Sequence, residues 1–385
     1  MGNNRKSPNK NKESGIRNQE SKSSGRQDGR HRSSVPGQQS AGSGFRSSVS
    51  SQENLLPQAK RSSSETLLKL RQGRDAPRAQ RSTAAALSPQ SLSLSFTVAD
   101  ITLSIHTTDA SLKLQLQGAT KSFCTRRGNP DITIEIGRDD LSGIETGDKK
   151  IFDSGSIWRL YETNGNYKFY FYSEAIGPVP YKTAEVQKNF SRARVFIHNP
   201  YFDPSQPIYP LEYPLDELLF VHFLSEGRGV EVHACGISDS QGKGYLFLGQ
   251  SGTGKSTMAG LWKDQPGITI LSDDRIVLRK INGGFWMYGT PWHGEGRFFS
   301  ASRARLSRIY FLEKGKKNEA IPCRAAEAIG RLTACSFLPF HNREPLDFTL
   351  AFFEEMVKTV PTGELRFVPD RNVIEMIRGA GARLP

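Results

Sequence analysis

The run Gly249-Gln250-Ser251-Gly252-Thr253-Gly254-Lys255-Ser256-Thr257 packs three glycines, one lysine and four hydroxyl side chains into nine positions. It fits the pattern G-x-x-x-x-G-K-[ST] at every fixed position. Glycines at that spacing let the backbone curl until successive N–H groups converge on one anion, and a helix starting there adds its dipole. The chemistry this suits is the grip on a nucleoside triphosphate, with ATP and Mg²⁺ as the expected cofactors. Lys255 then reaches the β- and γ-oxygens, and the Ser256 hydroxyl ligates the metal.

A second group follows 18 positions after Lys255, in Leu271-Ser272-Asp273-Asp274. Carboxylates at the end of the strand after such a helix face the phosphate crevice. One of the two suits Mg²⁺ and the other a hydroxyl proton. Asp273 is expected as the metal ligand and Asp274 as the base, an order that spacing leaves open. His233 stands 16 residues before Gly249 on a β-rich stretch, where it is either a satisfied core histidine or a catalytic neighbour of the loop. The cluster Tyr288-Gly289-Thr290-Pro291-Trp292-His293-Gly294-Glu295-Gly296 offers Glu295 as a further metal ligand and His293 as a substrate contact. Its alternative reading is a structural turn around a packed Trp292.

Taken together these residues are recognisable. Gly227-Arg228-Gly229-Val230-Glu231-Val232-His233, the loop 249–257 and Leu271–Asp274 occur in the order and spacing of the HPr kinase/phosphorylase family, which is related to ATP-dependent PEP carboxykinases. Pro291–Glu295 and Phe367-Val368-Pro369-Asp370 resemble stand-alone HPr-kinase-like proteins. The resemblance implies an α/β P-loop kinase domain in which His233, Asp273 and Asp274 act around nucleophile and metal. Thr257 stands where the bifunctional members carry Glu, and their Pro- and Gly-containing phosphorylase signature is not found. The resemblance therefore implies neither the reverse reaction nor HPr as the substrate.

These groups need elements to position them. Gly244–Leu248 predicts a strand, the loop follows, and a helix is expected from about Lys255 to Lys263, with a strand at Ile268–Leu271. Val230–Gly236 predicts a strand beside them, and Leu215–Leu224 a helix ending at Gly227. Upstream, Phe96–His106, Ser111–Leu116, Ile132–Ile136, Ser156–Tyr161, Tyr167–Tyr172 and Ala193–Ile197 read as strands. Asn164-Gly165 suits a hairpin turn. The expected organisation is a disordered tail over 1–92, a β-rich domain over 93–212 and the P-loop domain over 213–385, joined at the Pro-rich stretch Asn199–Pro214.

Composition narrows the function. Of the net charge of +13, the tail carries +11, from 17 Lys/Arg and 6 Asp/Glu. It holds 19 serines and one aromatic residue, Phe45, too little for base stacking, so nucleic acid is not expected as a partner. The four cysteines at 124, 235, 323 and 335 show no zinc spacing. No run of 18 apolar residues and no apolar leader occurs, which sets the expectation of a cytoplasmic protein without membrane attachment. The expected activity is transfer of the ATP γ-phosphate to a hydroxyl, most simply a serine, of a protein or peptide partner. A homo-oligomer is compatible with that reading. The alternatives are a nucleotide-binding regulator without catalysis and a PEP-carboxykinase-like enzyme.

Overall fold

The structure, a computed structural model, describes residues 93–379 apart from 127, 143–147, 156, 204 and 340. The expected disordered tail lies outside the described residues. Among the described residues, two large sheets and five α-helices make a mixed α/β arrangement that lies in one compact unit.

The first sheet has eight strands: β1 (Ser93–Val98), β2 (Ile101–His106), β3 (Ile132–Asp139), β4 (Lys149–Asp153), β5 (Trp158–Thr163), β6 (Asn166–Ser173), β7 (Gly177–Val186) and β8 (Arg192–His198). They lie in the order β1-β2-β3-β8-β7-β6-β5-β4. The turn between β5 and β6 is the expected hairpin, with Asn164 and Gly165 at φ 46° and 79°. Ser111–Leu116 is not a strand. Its leucines do alternate inward, but its backbone meets a neighbour only at the Leu114–Ile208 bridge, so the period reflects burial without a ladder. The ten residues of β7 lie outside the strands that the sequence predicts, and they contain Pro178 and Pro180. Pairing with β8 begins only at Lys182, so both prolines precede the fully paired stretch.

The second sheet is built around β9 (Val230–Ser238), which lies antiparallel to β10 (Lys243–Leu248), β11 (Thr269–Ser272) and β12 (Arg275–Ile281). From β12 the sheet continues through β13 (Gly284–Gly289) to β14 (Arg303–Lys314), which runs parallel to β10. The strands β9, β12, β13, β14 and β10 thus close into a ring. Such closure leaves each of them few unpaired edge groups. The strands β15 (Glu319–Pro322), β16 (Ser336–Phe337) and β17 (Thr362–Phe367) extend this sheet.

Five helices dress the second sheet: α1 (Leu215–Ser225), α2 (Lys255–Trp262), α3 (Ala325–Ala334), α4 (Glu344–Thr359) and α5 (Asn372–Gly379). One apolar core holds Phe96, Phe169 and Val195 of the first sheet together with Leu219, Phe220 and Phe223 of α1, Val277 and Tyr288 of the second sheet and Trp292 of the loop after β13. The sheets therefore share a core through α1. No helix among the described residues is long and apolar enough to cross a membrane.

Candidate active site

The glycine-rich loop leaves the end of β10 and enters α2 through Gly254, whose φ of 111° suits glycine alone. A Cβ there would also meet the Phe367 ring at 2.7 Å. The Phe367-Val368-Pro369-Asp370 segment thus supports the loop from below. Lys255 is buried at 7 % exposure, and its ammonium donates to the carbonyls of Gly249 (2.7 Å) and Gln250 (3.2 Å). Burial lowers the Lys255 pKa, opposed by the charge of Asp274. Ser256 and Thr257 are exposed on the first turn of α2, beside Gln250, Ser251 and Gly252. The ammonium thus lies folded onto the loop's own carbonyls, with the hydroxyl-bearing residues Ser251, Ser256 and Thr257 exposed.

His233 and Asp274 meet across β9 and β12. Arg275 pairs with His233 in register, and His233 Nε2 lies 2.8 Å from Asp274 Oδ1. Burial opposes ionisation of Asp274, but Arg275, His233 and Lys255 outweigh it and hold its carboxyl well below the usual range. Burial pushes the His233 imidazole below its ordinary value, with the Asp274 contact pulling the other way. A neutral imidazole donating from Nε2 to an ionised carboxylate satisfies both shifts.

Asp273 is turned differently. Its two oxygens accept the backbone N–H groups of Gly294 and Gly296, each at 2.9 Å. A Cβ on Gly296 would sit 2.5 Å from Asp273 Oδ2, so glycine is what lets the loop close on the carboxylate. Burial raises the Asp273 pKa, and the Gly294 N–H works against it. Glu295 is exposed at the tip of this loop, between the two glycines. His293 turns Nδ1 toward Gly294 O at 3.0 Å and stacks on Phe299. Trp292 is packed against Phe220 of α1. The cluster 288–296 is thus both a packed turn and the cap of Asp273. Among the described residues no group of three or more His, Cys, Asp or Glu is placed to hold a metal ion.

Three buried ionisable residues lie beside the candidates that the sequence names. Arg275 donates from Nε to Glu217 Oε1 at 2.6 Å and from Nη1 to Asp274 Oδ2, with Glu231 Oε1 at 3.6 Å. Burial and the neighbouring Glu217 push the Glu231 carboxyl well up, while the Arg275 guanidinium pulls it the other way. Glu231 lies two residues before His233, on the same side of β9. That spacing was the one available signal.

No family model matches the chain, and no curated protein matches it. Among solved structures, the HPr(Ser) kinase/phosphatase from Coxiella burnetii aligns over 39 % of this chain and 86 % of its own length, at 13 % identity and a TM-score of 0.23. At that score the likeness is slight, and the functional reading rests on the site.

Proposed function

We propose that the chain is an ATP- and Mg²⁺-dependent kinase that transfers the γ-phosphate to a hydroxyl, most simply serine, of a protein or peptide. The observation that carries this is geometric: Ala234 of β9 pairs with Leu248 of β10, which brings the His233–Asp274 pair beside the glycine-rich loop that holds Lys255. A non-catalytic nucleotide binder has no use for that pair. The backbone of 249–256 and Lys255 would hold the phosphates, and Ser256, Asp273 and Glu295 would hold the metal. Magnesium, when bound, neutralises charge on the phosphate oxygens.

In the transfer, the acceptor oxygen forms a bond to the γ-phosphorus as the bond to the β–γ bridging oxygen breaks, and ADP leaves. The acceptor proton passes to Asp274. A carboxylate held this far down is a weak base, but a loose phosphoryl-transfer transition state acidifies the hydroxyl only late. Asp274 therefore mainly orients the hydroxyl, and the loop and Lys255 supply the electrostatic stabilisation.

The test uses label leaving γ-labelled ATP, whether to protein or to water. Lys255→Ala should abolish release, and Ser256→Ala should weaken ATP binding with Mg²⁺ more than without it. Unchanged release by Lys255→Ala would show the loop assignment to be wrong. The carboxykinase reading is tested in parallel with oxaloacetate, ATP and Mn²⁺, and robust PEP formation would replace the kinase proposal.

A further inference from the structure

Arg275 is 3 % exposed and lies between the site and helix α1. Its Nη1 holds Asp274 Oδ2, while Asp274 Oδ1 is on His233 Nε2. Both oxygens of Asp274 therefore have a fixed partner, and the carboxylate plane is set by two groups on neighbouring strands. The guanidinium is in turn oriented by Glu217 at 2.6 Å and by the Phe337 ring, 4.2 Å from its central carbon. Its own carbonyl accepts the Thr290 hydroxyl at 2.8 Å, at the base of the loop that caps Asp273.

An ion pair that only fastened α1 to β12 would need one carboxylate. Removing a guanidinium from water is costly, and apolar packing fastens helices as well or better. Here one guanidinium spans a carboxylate of α1 and a carboxylate of the site. We infer that Arg275 and Glu217 are positioning residues, which aim Asp274 at the acceptor hydroxyl and tie its orientation to α1. This deepens the kinase reading and rests on it. Outer groups that orient the ligands of metal sites are worth about 10- to 100-fold in metal affinity or activity, and an effect of that order is expected here.

The test is a double-mutant cycle on the full chain, with Mg·ATP affinity from calorimetry and turnover from total label leaving γ-labelled ATP. Glu217→Gln keeps the shape and removes the charge. It should slow turnover about 10-fold or more with Mg·ATP affinity nearly unchanged. Combined with Asp274→Asn it should cost little beyond Asp274→Asn alone, because Glu217 acts through Asp274. Where Glu217→Gln fails to fold, Arg275→Lys enters the same cycle, since it keeps the charge and loses the fork. Additive losses, or wild-type turnover in the single variant, would overturn the inference and leave the kinase reading standing. A wild type that binds no Mg·ATP would overturn both.

Discussion

Adjacent aspartates have come to different ends in this site. Asp273 is fixed by two backbone N–H groups, and Asp274 by a histidine and an arginine. Their asparagine variants should therefore fail differently. Asp274→Asn should lower kcat about 100-fold with ATP affinity held, as loss of a transition-state group does. Asp273→Asn should shift the Mg²⁺ dependence and also loosen the 291–296 loop, because an amide nitrogen cannot accept an N–H. Steady-state kinetics over a Mg²⁺ series separates the two, and wild-type rates in both variants would refute the mechanism. The neighbourhood of Lys255, His233 and the two aspartates was legible because a glycine-rich loop between a strand and a helix has a recognisable spacing, and the stretches that carry the other three read as strands beside it. The buried Arg275, Glu217 and Glu231 were not, because a charged side chain reads as solvated unless its partners are known.

At the scale of elements, α1 does the most. It carries Glu217 to the site, and on its far side His222 is buried against Phe190, with ring centroids 4.4 Å apart, and against His341. Burial takes the His222 imidazole from 6.5 down to about 3. Between those values the unfolded chain binds a proton that the native state does not, so this residue makes stability fall as pH drops through 6.5, by about 1.4 kcal/mol per pH unit. Asp216, six residues earlier in α1, works in the opposite sense. Burial raises it from 3.8 to about 7, so it favours the native state at low pH and loses that contribution as pH rises toward 7. The two offset each other in the total, and the readout is a difference. In urea unfolding at pH 7 and pH 5, His222→Phe should gain on wild type at the lower pH; a pH-independent difference would contradict the buried neutral imidazole. The helix itself was legible from its periodicity, and so was the neighbouring of β9 and β10. The antiparallel seat of β11 on β9 was not, nor was the ring through β14, since pairing across about 60 residues leaves no local period.

For the whole molecule, the expected boundary near 212 falls between the two sheets in sequence but within a shared core. Leu215, Leu219, Phe220, Phe223 and Leu224 of α1 pack with the first sheet. Leaving those side chains short of partners costs about 1.5–3 kcal/mol each, together comparable to a domain's whole stability of about 5–15 kcal/mol. A fragment of residues 213–385 should therefore aggregate or show no cooperative melt by calorimetry. A sharp melting transition in that fragment would mean the second sheet and its helices stand alone.

The central claim is transfer of the γ-phosphate to a protein hydroxyl, and quantitative phosphoproteomics tests it most directly. A dephosphorylated cell extract would be incubated with Mg·ATP and either wild-type protein or Lys255→Ala. Serine sites that gain phosphate with the wild type and not with the variant are the expected result. Identical site lists, from a wild-type protein shown to bind Mg·ATP, would contradict the account.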